Sequence, residues 1–444
     1  MTFVEIYKDL FPSFGPALGF LIRFWWIWLP PLTFTVFVGT WLNYTRTYFK
    51  RSQEWVLLEV RVPRALIRGP RGMEQFFANM HGLRNAPSDK IEKYWHGEVP
   101  LWFSFEIVSL GGELHYFIRT TRKLQRSVEA QLYAQYPDLE IIATHDYMNR
   151  FPPSLSGLYA AGYDLWGTEL LLEREDCYPI RTYGEFESPN EFEYIDPISA
   201  LLEALKKIDK RENILIQILA RPADNGWQKK ADAVVQKLKE GTSVGKKKAS
   251  ISEQEEGAPM MIARTPGETE ALKLIEKKIT KAGYEVVIRY IYIAERSVFS
   301  STFARRGVIS AMNQYSSHSL NSFRHNFKAW TMVKWVYKPF IFPNKRAEGR
   351  KQRMYINYRE RRMPEETRVG GVYSSSLFLW DFARRTSVLN TEELATVYHF
   401  PNETVLTAPL IKRKESKTLG PSAELPIFGG EDDEHFTKLY GNGI

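Results

Sequence analysis

The spacing of apolar residues changes several times along the chain, and each change marks an element. From Trp55 to Val62 apolar and polar positions alternate, with Val56, Leu58, Val60 and Val62 on one side. This is strand periodicity, and Pro63 ends it. Gly72 to His81 places Met73, Phe76, Phe77 and Met80 at helical spacing. Trp102–Leu110 and Glu113–Thr120 read as strands joined by Gly111-Gly112, a hairpin signal because both central positions of such a turn need positive φ. Leu124, Val128 and Leu132 fall on one helical face, and Leu139–Thr144 is a fourth strand. The order β-α-β-β-α-β over residues 52–150 predicts a ferredoxin-like sandwich.

Residues 151–320 predict a second α+β domain of the same kind. Gly157–Thr182 holds two or three strands, and Ile198, Leu201, Leu202 and Leu205 mark a helix. Asn213–Ala220 is a buried strand stopped by Arg221-Pro222, and Trp227, Ala231, Val234 and Leu238 mark another helix. Composition then shifts: Gly241–Gly257 (GTSVGKKKASISEQEEG) is small, polar and charged, and is expected to be a mobile loop. Thr265-Pro266-Gly267-Glu268 is a helix start, with Leu272, Ile275 and Ile279 continuing it. Tyr284–Ala294 is a long strand and Val298–Met312 a helix. A basic-aromatic arm with a return strand follows at 321–388, then a C-terminal helix and tail at 389–444.

Before all of these stands Phe24–Tyr44 (FWWIWLPPLTFTVFVGTWLNY), which has no charged side chain. At about 1.5 Å per residue it is long enough for a hydrocarbon core of roughly 30 Å. Within tail and helix at 1–51 we expect a transmembrane helix, with Pro30 and Pro31 as a tolerated kink. Trp25, Trp26 and Trp28 suit one interface, Trp41 and Tyr44 the other. Arg46, Lys50 and Arg51 follow at once, so the positive-inside rule places the body in the cytoplasm, on a single pass through the cytoplasmic (inner) membrane. The expected class is therefore α+β: an N-terminal transmembrane helix followed by tandem ferredoxin-like α/β sandwiches.

Composition adds little except in two places. The single cysteine, Cys177, excludes an intrachain disulfide and a cysteine-based zinc cluster. A formal net charge of +8 favours anionic partners without requiring one. The basic charge concentrates in residues 321–362, where aromatics interleave with Lys and Arg. Arg324, Lys328, Lys334, Lys338, Lys345, Arg346, Arg350, Lys351 and Arg353 are candidates for binding DNA or another anion. The bland alternative is a solvated arm whose aromatics pack on the body.

Catalytic chemistry has no address. Gly241-Thr-Ser-Val-Gly245-Lys246-Lys247 fails as a nucleotide-binding loop: it has three residues between the glycines, no magnesium-binding hydroxyl and no strand before it. His115 reads as structural, and neither His145-Asp146 nor His96-Gly97-Glu98 has metal-ligand spacing. Glu173, Glu175 and Asp176 read as a solvated edge, and no G-x-S-x-G elbow occurs. No catalytic residue, cofactor or metal is assigned.

The string Leu389–Pro401 (LNTEELATVYHFP), followed by Thr404-Val405-Leu406-Thr407-Ala408-Pro409, resembles the segment leading into the motor of conjugative-transfer and type IV secretion ATPases. So do Leu57–Pro63 with Met73-Glu74, Ala134-Gln135-Tyr136-Pro137 and Ile216–Pro222. The resemblance covers about residues 20–425 and is most specific at Leu389–Pro401. It implies the family's membrane-anchored, non-motor region. After Pro426-Ile427-Phe428-Gly429-Gly430 no motor sequence follows, so ATP hydrolysis is not carried over. The expectation is a non-catalytic assembly platform serving secretion-machine subunits and a separate motor ATPase. The alternative is a membrane-tethered DNA-binding module using residues 324–362.

Overall fold

Strands buried on both faces, as most of these are, have to be covered twice, and one sheet collects all nine of the described strands. The computed structural model describes residues 23–63, 66, 68–186, 196–247, 266–317, 320–333, 342–365, 367–374 and 385–401. Within them, β1 (Trp55–Arg61), β2 (Phe103–Leu110), β3 (Glu113–Thr121), β4 (Glu140–Thr144), β5 (Tyr163–Leu172), β6 (Glu212–Pro222), β7 (Gly283–Glu295) and β8 (Phe323–His325) run in the order β4-β1-β3-β2-β6-β7-β5-β8. β9 (Ser387–Asn390) pairs with β7 where β5 leaves off, and every pairing is antiparallel. The α+β class expected from the sequence holds.

The first half has strand order 4-1-3-2, and the second repeats it when its strands are counted from β5. The second strand of each half meets the other, with β2 on β6 from Phe103↔Ala220 to Leu110↔Asn213, so the halves share one sheet instead of packing as separate bodies. The β2–β3 hairpin turns at Gly111 (φ +60°) and Gly112 (φ +86°), as the glycine pair requires.

One face carries α2 (Pro70–His81), α3 (Gln125–Gln135), α5 (Ser199–Lys206), α8 (Ser301–Met312) and α11 (Thr391–Val397). Met73, Phe76, Phe77 and Met80 of α2 are fully buried, as their i, i+3, i+4, i+7 spacing dictates. Phe105, Ile216, Ile288 and Tyr290 of the sheet belong to the same core as Leu394 and Tyr398. The other face packs Val108, Leu215 and Ile291 against α4 (Leu155–Ala160) and α9 (Pro343–Arg359). α6 (Gly226–Lys247) and α7 (Pro266–Ile279) lie between β6 and β7 in sequence and pack on each other through Ala231, Val235, Leu272 and Ile275.

Two expectations are corrected, the second in part, and a third lies outside the described residues. Gly157–Thr182 forms a single strand, because Ser154 caps a short helix (its hydroxyl accepts from Gly157 N at 3.1 Å) and the chain turns after Leu172. Gly241–Lys247 continues α6 instead of opening a loop; the rest of the expected mobile segment, 248–257, lies outside the described residues. Thr265, the expected cap of α7, also lies outside them.

Candidate functional site

α1 (Trp25–Ser52) leads into β1 and is the most exposed apolar element described. It runs unbroken through Pro30 and Pro31. Thr33 Oγ1 donates to Leu29 O and Pro30 O, both at 2.9 Å, and Thr35 Oγ1 donates to Pro31 O at 2.7 Å, so hydroxyls saturate carbonyls around the prolines. Trp25, Trp26, Ile27, Leu32, Phe34, Val36 and Phe37 are each at least half exposed. At 100° per residue they and the exposed Trp28, Pro31 and Thr35 together go round the helix, and no formal charge occurs between Arg23 and Arg46. Among the described residues no helix is long and apolar enough to cross a membrane. In α1 the prolines, Thr33, Thr35, Thr40, Asn43 and the amphipathic Trp and Tyr rings dilute the apolar run that the sequence presents.

The C-terminal part of α1 meets the body. Gly39 faces Val369 and Gly370 faces Asn43, each so closely that an added Cβ would lie 2.5 Å from the neighbour, which lets α10 (Arg368–Ser374) cross α1. Trp41, assigned from sequence to a lipid interface, is half-buried: its Nε1 donates to Tyr94 O at 2.8 Å and its ring lies 5.4 Å from that of Trp95. Tyr44 remains exposed. Trp28 sits between these extremes at 39% exposure.

The basic arm is a prop on the sheet. A polar row crosses the buried face in register: Glu106 opposite Gln217, Gln217 opposite Arg289, and Arg289 opposite Glu169. Arg289 donates from Nη1 to Asn357 O at 2.5 Å and from Nη2 to Arg362 O at 2.6 Å, and Gln217 Nε2 donates to Tyr358 O at 3.1 Å. The sheet thus adds side-chain donors to carbonyls at the C-terminal end of α9, where Asn357 O also accepts from Arg362 N at 2.9 Å and Tyr358 O from Arg361 N at 3.1 Å. Arg361, held at φ +53°, sends Nε to Glu106 Oε1 at 2.8 Å and Nη2 to Asp146 Oδ1 at 3.0 Å.

Of the nine basic candidates, Arg346 and Arg350 are buried, with Arg350 Nη1 donating to Met332 O at 2.9 Å. Lys351 pairs with Asp164 at 2.7 Å. One side of α9 packs on the sheet, so Arg346 and Arg350 turn inward whatever their charge, while Lys351 is half-buried. Arg324, Lys328 and Lys345 are exposed, Arg353 is half-exposed, and Lys334 and Lys338 lie outside the described residues.

The Leu389–Pro401 string is interior throughout. Asn390 caps α11 reciprocally with Glu393: Asn390 Oδ1 accepts from Glu393 N, and Glu393 Oε2 from Asn390 N, both at 2.8 Å. Glu393 pairs with Lys278 at 2.9 Å with both side chains wholly buried, and burial raises its carboxyl above the usual range despite that lysine. Glu392 meets Lys277 and Lys281, while His399 Nε2 lies 2.7 Å from Asp196. Sequence reasoning placed Leu394, Val397 and Tyr398 inward but missed the glutamates, whose lysine partners, with Thr182 Oγ1 on Glu392 and Ile180 N on Glu393, come from segments distant in sequence.

A cleft of about 700 Å³ lies between the segment after β5, the start of α6 and β9, lined by Arg174, Asp176, Cys177, Asp224, Lys230 and Arg385. Burial pushes the Cys177 thiol up to about 11, which leaves it protonated and a poor nucleophile. His115 lies 3.0 Å from Glu59 on the sheet, and Asp146 is engaged by Arg361. Among the described residues no group of His, Cys, Asp or Glu could hold a metal ion. A family model described as a domain of unknown function (DUF8128) matches residues 48–413. No curated protein matches the chain.

Proposed function

For a chain that belongs to the DUF8128 family, we propose a role as a membrane-anchored, non-catalytic platform of a conjugative DNA-transfer or type IV secretion machine. In this reading the anchor is α1, the sheet is a pair of ferredoxin-like halves fused at β2 and β6, and the body lies on the cytoplasmic side, where Arg46, Lys50 and Arg51 follow the uncharged run. The single observation carrying the anchor is that α1 is apolar, uncharged and exposed on every side from Trp25 to Phe37. A helix of that kind is stable where lipid or protein surrounds it, and costly in water. The shortfall in its mean apolarity comes from uncharged residues alone: the prolines, Asn43, the Trp and Tyr rings, and threonines whose hydroxyls are bonded within the helix.

The machine itself is proposed from the likeness of Leu389–Pro401 to the lead-in of the secretion motors. In this structure that string ties α7, α2 and the sheet together, so a motor attached to or beside it would bear on a rigid base.

The anchor is tested with the full-length chain expressed in bacteria. The protein should stay with membranes through carbonate washing, and Phe34→Asp with Phe37→Asp should release it. Each charge near a bilayer centre costs about 2.5–3.5 kcal/mol on insertion scales. Release of the unaltered protein by carbonate would defeat the anchor.

A further inference from the structure

We propose that Ile91, Tyr94 and Trp95 form a second lipid contact, seated at the headgroup–acyl boundary of the bilayer that α1 enters. The proposal rests on the anchor reading above. These residues sit on and just before the π-helical turn Glu92–His96, between α2 and β2, and sequence periodicity assigned them nothing. Trp95 is 70% exposed, Ile91 62% and Tyr94 42%, an unusual cost for a short connecting segment in water.

The segment is fixed to α1 at one height. Gly97, at φ +67°, comes so close to α1 that an added Cβ would lie 2.4 Å from the Thr45 carbonyl carbon. Trp41 Nε1 donates to Tyr94 O, and the Trp41 and Trp95 rings are in contact. Thr45 is the last residue of the uncharged run and Arg46 the first charge after it. The loop therefore meets the helix where its character changes from apolar to basic. With Trp25, Trp26 and Trp28 about 24 Å away along the helix, at about 1.5 Å per residue, Trp41, Tyr44, Tyr94 and Trp95 complete a second aromatic belt. Trp and Tyr favour that depth because one end of each ring system is polar.

The occupant is lipid and not a protein groove on two grounds. The apolar side chains are continuous with the exposed face of α1, and the acids nearby are already engaged: Glu92 accepts from Ser88 N at 2.7 Å and Asp89 from Glu92 N at 2.8 Å, while Lys93 rests on the Tyr94 ring.

The test uses full-length protein with Cys177→Ser, carrying Trp95→Cys, Ile91→Cys, Phe34→Cys or, as a control at an exposed site outside α1 and the loop, Lys328→Cys. Each is labelled with a polarity-sensitive fluorophore and reconstituted in vesicles of equal parts phosphatidylcholine and phosphatidylglycerol, with spin labels near the headgroup or mid-chain. The expected result is a blue shift at positions 91 and 95 with stronger quenching from the headgroup-proximal label, stronger mid-chain quenching at 34, and no change at 328. Gly97→Ala should diminish the signal at 95 and leave that at 34. Quenching at 34 with none at 91 or 95 would overturn the loop contact and leave the anchor standing. Quenching at 91 and 95 with none at 34 would keep the loop contact and remove the anchor. Absence at all three positions would overturn both.

Discussion

Single side chains in this protein do unusual work through burial of charge. Lys278 and Glu393 are shut away from water, and Lys278 Nζ also donates to Val388 O at 3.0 Å. Removing one partner strands the other. Lys278→Met should therefore cost about 3–5 kcal/mol, and Lys278→Met with Glu393→Gln distinctly less than the sum of the two single changes. Gln is chosen because it can still complete the cap with Asn390. Urea denaturation of the two single variants and the double variant measures the coupling.

His325 bears on pH. Burial among Trp166, Tyr290 and Trp330, with Arg305 nearby, lowers its pKa from the ordinary 6.5 to about 4. The unfolded chain then takes up its proton first, so stability contributed by the neutral ring is whole above about pH 6.5 and declines as pH falls towards about 4, by up to about 1.4 kcal/mol per unit. His325→Phe should flatten the stability profile over that window; an unchanged slope would assign acid sensitivity to other groups, His81 among them.

At the scale of elements, the decisive contact is between α9 and the polar row. The helix is rich in basic residues and weakly amphipathic, so its own sequence scarcely tells which side packs. Arg289 selects it by binding the Asn357 and Arg362 carbonyls, with Glu169 at 3.6 Å as counter-charge. Arg289→Leu should lose both bonds, leave Glu169 buried beside an apolar chain, and destabilise by about 3–5 kcal/mol. Hydrogen exchange should show residues 354–362 opening first. Protection there equal to the parent would mean that apolar packing of Met354, Tyr355 and Tyr358 alone holds the helix.

For the whole molecule, the β2–β6 seam predicts cooperative behaviour. The two strands pair in register over their length, and the core beneath them includes residues of both halves and of α11. Phe105→Ala in the first half and Ile288→Ala in the second should each lower one shared unfolding midpoint, at roughly 2–5 kcal/mol apiece. Two separable transitions, each sensitive to one substitution only, would mean that the halves are independent domains joined by an edge.

Local chain chemistry was sufficient for most of the elements. Period-two and period-3.6 spacing located β1 to β4, β6, β7 and the helices α2, α3 and α5 within a few residues, and Gly111-Gly112 announced its turn, because these depend on neighbours in sequence. The uncharged run from Trp25 to Thr45 was equally plain. What sequence could not decide is which groups meet across the fold. The inward turn of Arg346 and Arg350, the burial of Glu392 and Glu393 and the joining of two halves of like strand order into one sheet all follow from contacts between segments that are not neighbours in sequence. So does the seat of Trp95 beside Trp41. A charge or an aromatic ring reads alike in sequence whether it faces water, lipid or a carbonyl; its surroundings are a property of the assembled chain alone.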